Sequence, residues 1–293
     1  MLFPSFFYAE NHINTNADVL VKGNYTVKDN ADIIANQQDD VETKAFTEGG
    51  SVAIEAASIE VINELKGGSS VTISDSIINA ANANIQAQDI VNFNKEFDFA
   101  TWGRTGAVAA SGGSSWLTNT VDKTAKVDVN KSAITVDKDL HVDAITLDNI
   151  IAKAKLATGS VVVSAAKVEV KKNDITINDE INVKNSNLKN KSNKGEITLT
   201  AADDSNIYAG AFGHVGTLVG SYVDASLDHN MTRKNTISIT RDKASADYDI
   251  YSNSNVKLYA GDFADGRIGG LFSRIEAQGY EAGIIPVGQI TYA

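Results

Sequence analysis

The chain of 293 residues contains no cysteine. That excludes a disulfide framework and thiolate metal sites. It leaves the compartment open, since a long protein exported unfolded also gains from having no stray disulfide. Proline is almost absent, with Pro4 and Pro286 set against 22 glycines, and aromatic residues make up 7%. No apolar run approaches the roughly 20 residues that cross a bilayer, so no membrane-spanning segment is expected. The start, Met1–Ala9, is apolar but short and has no positive flank, so it does not read as a signal peptide. Cations are in deficit, 26 Lys and Arg against 37 Asp and Glu, for a net charge of −11. An acidic chain repels phosphate backbones, which argues against a nucleic-acid partner. Helical periodicity is missing as well. Ala45–Leu65 could be drawn as a helix, but its β-branched residues and its parity oppose that.

What the chain does have is Val, Ile, Leu and Ala within a 43% hydrophobic content, mixed with Asn, Asp, Ser and Thr. This is an all-β composition with many turns. One stretch organises the rest. Gly50-Ser51-Val52-Ala53-Ile54-Glu55-Ala56-Ala57-Ser58-Ile59-Glu60-Val61 returns as Gly159-Ser160-Val161-Val162-Val163-Ser164-Ala165-Ala166-Lys167-Val168-Glu169-Val170, an offset of 109 residues. In both copies the apolar parity switches before Ile59 and Val168, which predicts two short strands meeting at a corner. The similarity extends over Asn24–Val61 and Ala133–Val170. Between the copies lie small-residue segments, Gly106–Trp116 and Gly210–Tyr222, which read as a second kind of element, and a third glycine-rich run covers Gly266–Gly288.

A long fixed-interval repeat of strand pairs is how a β-solenoid is written in sequence. The predicted organisation is a partial coil or irregular end over 1–23 and a shaft over 24–293. Its units fall at approximately 24–132 and 133–243, with a partial unit over 244–293. Coils of about 18–22 residues would place roughly five or six in each unit. At about 4.8 Å per coil they would build a rod of roughly 65–80 Å. Asn24, Asp75, Asn130, Asp137, Asn178, Asp179 and Asp203 are expected at corners, where Asx-turns suit them. The open ends of such a stack, read as an excised piece, are expected to self-associate end to end.

Little in the sequence points to chemistry. His12, His141, His214 and His229 are isolated and form no metal or general-base motif. Ser69 and Ser114 lack the strand–turn–helix setting that exposes a nucleophile. Acidic clusters at Asp39-Asp40-Glu42, Asp137-Asp139 and Asp203-Asp204 could serve a calcium-dependent polysaccharide lyase only if they gathered on one face. Gly261–Gly266 only faintly echoes a calcium-binding repeat. No cofactor, metal or catalytic residue is assigned. A basic run, Lys167, Lys171, Lys172, Lys184, Lys189, Lys191 and Lys194, is either a solvated outer face or a surface for an acidic glycan. Of these, Lys167, Lys171, Lys172, Lys189, Lys191 and Lys194 are the candidate surface-binding residues. Trp102, Trp116, Phe212 and Tyr222 border the small-residue segments. They could stack on sugars; the plainer expectation is that they fill strand ends where glycine leaves volume.

The Gly-Ser-Val-x-(Val/Ile)-x-Ala-Ala runs, alternating with Gly106–Gly113 and Gly216–Gly220, resemble the filamentous haemagglutinin class of bacterial adhesins. With phrases such as Ile134-Thr135-Val136-Asp137, Asp148-Asn149-Ile150 and Lys153-Ala154-Lys155, the chain looks more particularly like the leukotoxin-type filamentous adhesins of Gram-negative-walled anaerobes. The resemblance covers roughly Asn24–Gly270 and carries no catalytic signature. It implies a right-handed parallel β-helix shaft, exported by an outer-membrane transporter to the cell surface or medium. It also implies a non-enzymatic role in attachment to a cell-surface glycan or protein. The family's N-terminal secretion motif is not found here, so the chain would be shaft only. Two alternatives stand beside it: a β-helix carbohydrate-active enzyme, and a piece of a secreted leukotoxin or haemolysin.

Overall fold

A computed structural model describes residues 4–92, 98–242, 250–267, 269–283 and 286–292. Among the described residues there is no helix, and seventeen strands form one nine-stranded and one eight-stranded sheet, both parallel. The chain runs in layers, each going out along sheet A and back along sheet B. The first layer holds β1 (Pro4–Thr26), β2 (Asn30–Asp39) and β3 (Thr43–Ser51). The second holds β4 (Ile54–Ala80), β5 (Asn82–Val91) and β6 (Asp98–Ala107). The third holds β7 (Ala110–Asn130), β8 (Ala133–Val136) and β9 (Leu140–Ser160). The fourth holds β10 (Val163–Lys184), β11 (Asn187–Asn190) and β12 (Glu196–Gly216). The fifth holds β13 (Gly220–Thr240), β14 (Ile250–Ser252), β15 (Asn255–Ala260) and β16 (Leu271–Ala282), and β17 (Pro286–Tyr292) follows on β13. Strand β1 therefore runs through the expected boundary at 23/24, and residues 1–3 and 243–249 of the expected units lie outside the described residues.

The layers are much longer than expected. Pro4 pairs with Ala56, Ile54 with Ala110, and Ala110 with Val163, steps of 52, 56 and 53 residues. One circuit is thus more than twice the predicted coil, because single strands run for 21 residues or more instead of turning. The 109-residue offset is two circuits, 56 and 53 together. The rod of 65–80 Å gives way to a broad stack. Six strands of sheet A lie side by side, spanning roughly 24 Å, while a 21-residue strand is roughly 70 Å long.

The organising stretch also folds differently from its parity. Its corner lies at residues 52–53, where the chain passes from sheet B to sheet A, and not between Ala57 and Ile59. Val52 is 86% exposed, while Ala57, Ile59 and Val61 point inward from one uninterrupted strand. The small-residue segments supply the same turn. Gly50-Ser51-Val52-Ala53, Gly106-Ala107-Val108-Ala109, Gly159-Ser160-Val161-Val162 and Gly216-Thr217-Leu218-Val219 stack in register. Backbone bonds run from Ala109 N to Ala53 O, Val161 N to Val108 O and Leu218 N to Val161 O. Val52, Val108, Val161 and Leu218 are all exposed, forming a ridge along one edge.

At the other end of sheet A the chain turns through left-handed residues Asp75, Lys131 and Asn185, with φ of 49°, 49° and 52°. Each is followed by a serine. Ser132 Oγ accepts from Ser76 N and Ser186 Oγ from Ser132 N, both at 3.1 Å, so the hydroxyls stitch successive layers at the corner. Asp75 is thus a corner, as its residue type suggests. Asp179 and Asp203 are not: both are fully buried within strands β10 and β12.

Two apolar cores lie between the sheets. One contains Ile59, Leu117, Leu156 and Val168; the other contains Ile73, Ile85, Val127, Ile134 and Leu199. Side chains alternate across a strand, so one parity of each strand fills these cores and the other meets solvent. Each fully buried Val, Leu or Ile contributes about 1.5–3 kcal/mol, and repetition over layers makes the sum large. The first core also carries an asparagine column. Asn11 donates to Asn63 at 3.0 Å and Asn119 to Asn173 at 2.9 Å.

Candidate functional site

Three regions bear on function. The lysine run is the first. Lys167, Lys171 and Lys172 are exposed on β10, Lys184 ends it, Lys189 is exposed on β11, and Lys191 and Lys194 sit in the following turn. Residues two apart share a face, so each β10 lysine meets an acid on its own strand or in the layers below. Lys167 lies 3.5 Å from Glu169, Lys171 2.6 Å from Glu60 and Lys172 2.9 Å from Asp174. Lys171 also covers the Trp116 ring at 4.3 Å, Lys184 pairs with Asp242 at 3.2 Å, and Lys189 lies over Tyr251 at 5.5 Å. Lys172 and Lys184 are twelve residues apart along β10, roughly 40 Å. The run therefore divides into two groups, and the acids of β10 and of Glu60 offset the first.

The second region is interior and was not singled out in the sequence. Between the two apolar cores runs a band of charged and polar side chains. Lys123 on β7, fully buried, forms an ion pair with Asp39 on β2 and stands 3.6 Å from Asp89 on β5. It reaches two layers because the position between Thr15 and Lys123 in that column is Gly67. Gly67 has φ +116°, and a Cβ there would lie 1.8 Å from the Thr15 carbonyl oxygen. Asp39 also accepts from Thr15 Oγ1 at 2.9 Å and Gln37 Nε2 at 2.8 Å. Further along, Arg233 grips Asp203 at 2.6 and 2.8 Å, and Asn235 and Ser205 donate to the same carboxylate. Thr146 donates to Asp179 at 2.6 Å. Neither oxygen of Asp148 has a hydrogen-bond partner.

Five carboxylates thus share this band with two cations, and the imbalance is met by protons. Burial raises Asp89 to about 6, against the pull of Lys123. Burial, then the neighbouring Asp89 and Asp203 charges, holds Asp148 well above the usual carboxylate range. Asp179 is raised well above it too, again chiefly by burial. The signal was present in the sequence: Leu117, Asn119, Val121, Lys123, Ala125 and Val127 share one inward parity, and Lys123 is the charged member.

The third region is the outer face of sheet B. Trp102, Trp116, Phe212 and Tyr222 were expected to fill strand ends; all four lie on outward parities instead. The interior beneath Trp102 and Phe212 is lined by Ala45, Thr101, Ala154 and Ala211, and so has no room for rings. Phe46, Trp102, Lys155, Phe212 and Gln278 stack in one outward column, one per layer. Phe46 and Trp102 are 47% and 45% exposed, with ring centroids 4.7 Å apart. Lys155 Nζ lies 5.5 Å from the Phe212 ring centre. One flanking column carries Lys44, Ala100, Lys153, Gly210 and Glu276, and the other Glu48, Arg104, Ala157, His214 and Tyr280. Four cations face two acids over these three columns, a local +2 on a chain of −11. His214 stacks on Tyr280 with ring centres 4.9 Å apart.

The remaining candidates are scattered. His12 bridges Glu10 and Glu64 at 2.6 and 2.7 Å on the exposed face of β1, and those hydrogen bonds raise its pKa. His229 contacts Asn173 at 3.0 Å, and His141 lies on β9. Ser114 donates to Ser58 at 2.9 Å, and Ser69 is buried beside Gly68. Asp203 is interior, Asp204 faces outward, and Asp137 and Asp139 occupy the turn before β9, so the four do not share a face. The Gly261–Gly266 turn is tied by Arg267, which bonds Asp265 at 2.7 Å and covers Phe263. Among the described residues no group of three His, Asp or Glu is placed to hold a metal ion, and no helix is long and apolar enough to cross a membrane.

No family model, curated protein or solved structure matches this chain. Its function is therefore argued from its own geometry.

Proposed function

We propose that this chain is a shaft segment of a large bacterial surface adhesin, non-catalytic and acting in attachment. In this reading the two parallel sheets close into a right-handed β-helix of wide coils, which a dedicated outer-membrane transporter delivers to the cell surface or medium. The observation that carries it is the stacked turn. The same glycine-led turn closes four consecutive layers in register, so the fold grows by adding layers, which is how a protein gains reach. The resemblance of the Gly-Ser-Val runs to filamentous adhesins agrees with this. End-to-end association follows from the unpaired edges of β1 and of the last layer.

The enzyme alternative needs carboxylates on one face, and Asp137, Asp139, Asp203 and Asp204 are dispersed. The leukotoxin alternative rests on the resemblance alone. Beads coated with the purified chain test the proposal. They are expected to attach to bacterial or host cells more than beads coated with an unrelated acidic β-protein. Equal attachment overturns the adhesive role. Cleavage of acidic polysaccharide, or lysis of erythrocytes by the chain alone, overturns the non-catalytic shaft.

A further inference from the structure

We infer that the outer face of sheet B binds an extended acidic polysaccharide, laid across the strands over the column Phe46, Trp102, Lys155 and Phe212. The inference rests on the adhesin reading and gives it a partner of stated chemistry. Large rings on a solvated face forfeit burial, and an isolated one needs no explanation. Here the rings are aligned. Parallel in-register pairing places Phe46, Trp102 and Phe212 in one line, on a face otherwise built of small and charged residues.

The spacing suits a sugar chain. Trp102 and Phe212 are two layers apart, roughly 9.6 Å, which is about the length of an extended disaccharide. Alternate sugars can then present the same C–H face to successive rings. The negative ring face attracts the partly positive C–H face of a pyranose as it attracts a cation. Lys155 stands in the layer between the two rings, with its ammonium over Phe212. It has no carboxylate partner among the described residues. A uronate on the intervening sugar would take up that ammonium and leave the Phe212 face for the next ring. Arg104 in the next column over extends the positive charge, its nearest acid being Glu48 at 4.0 Å. Charge complementarity therefore selects an acidic glycan over a neutral one. It also selects against phosphate-rich nucleic acid, because the rest of the chain is strongly negative.

Affinity electrophoresis of the whole chain through gels containing polygalacturonate, with dextran as the neutral control, tests this. Retardation is expected with polygalacturonate and not with dextran, and it should weaken as salt rises. Trp102→Ala should reduce affinity about tenfold, as truncation of an aromatic anchor does. Lys155→Gln should reduce it about threefold and flatten the salt dependence. Both side chains point outward, so unchanged circular dichroism and melting temperature are expected, and Lys171→Gln on sheet A serves as a control that leaves binding unchanged. No retardation of the parent chain, equal retardation in dextran, or full binding by the Trp102→Ala, Lys155→Gln double variant overturns the inference. If polygalacturonate is not bound but coated beads still attach to cells, the inference fails and the adhesin reading stands. If beads fail to attach but Trp102-dependent retardation is seen, the glycan surface stands and the adhesin reading fails.

Discussion

The apolar cores and the charged band between them share the same strands and alternation, yet they are built by opposite rules. In the cores each column repeats one kind of residue, as in Ile73, Val129 and Val183, or Val61, Leu117 and Val170. In the band no column repeats. Asp89, Thr146 and Asp203 follow one another, as do Gly67, Lys123, Ile177 and Arg233. A core layer can be exchanged for its neighbour; a band layer cannot, because its partner lies in a particular other layer. The cores supply stability by area, and we regard the band as specifying which layer stacks on which. Buried ion pairs are weak sources of net stability but costly to break, which fits that division.

The sharpest way to break the comparison is at Lys123. Lys123→Met leaves Asp39 and Asp89 without their cation and is expected to cost about 3–5 kcal/mol by urea unfolding. Leu117→Ala, in the neighbouring core, should cost about 2–5 kcal/mol, as large-to-small core changes do. The two differ on compensation. Adding Asp39→Asn and Asp89→Asn to Lys123→Met should recover most of the loss, whereas no second substitution is expected to restore Leu117→Ala so simply. A loss under about 1 kcal/mol for Lys123→Met would mean that the band is solvated and not structural.

The same contrast explains what could be read in advance. The cores were legible because Val71-Thr72-Ile73 and Val127-Asp128-Val129 alternate cleanly. The repeat was found, but at twice its step. Gly50-Ser51-Val52 and Gly159-Ser160-Val161 match closely, while the intervening Gly106-Ala107-Val108 and Gly216-Thr217-Leu218 differ enough to look like another element. Coil length was not legible, because nothing in 21 alternating residues marks where a strand must end. The band was missed because Asp179 and Asp203 have the residue type of corners, and only parity shows that they face inward. The aromatic column was misplaced for a similar reason. Glycine neighbours suggested internal space, but Ala45, Ala154 and Ala211 show an interior too narrow for rings.

Acid should sharpen the comparison further, with a smaller effect. Asp89 has its folded pKa raised to about 6, and unfolding returns it to the ordinary value of 3.8. The folded chain therefore binds more protons between these values, and stability rises as pH falls through this window and is lost as pH rises again. Two pK units correspond to about 3 kcal/mol as an upper limit. Asp148 and Asp179 act in the same direction. Melting is thus expected at higher temperature at pH 4.5 than at pH 7.5, and Asp89→Asn should flatten the difference. The exposed acids Glu10, Glu64 and Asp242 have lowered pKa values and oppose this only below about pH 4.5. A melting temperature that climbs steadily from pH 4.5 to 7.5 would show that the band carries its charges without strain.

The smallest effect is expected at the serine corner, which is polar and buried like the band but repeats like the cores. Ser132 donates to the Asn130 carbonyl at 2.8 Å and accepts from the Ser76 amide at 3.1 Å, and Ser186 repeats both bonds one layer on. Ser132→Ala leaves the Ser76 amide without its acceptor, at a cost of about 1–2 kcal/mol. Since no ionisable group takes part, this loss should be the same at pH 4.5 and 7.5 and indifferent to salt. That separates burial of a polar group from burial of a charge. A Ser132→Ala loss exceeding that of Lys123→Met would move layer specification from the band to the corner, where the left-handed Asp75, Lys131 and Asn185 already hold each layer to the next.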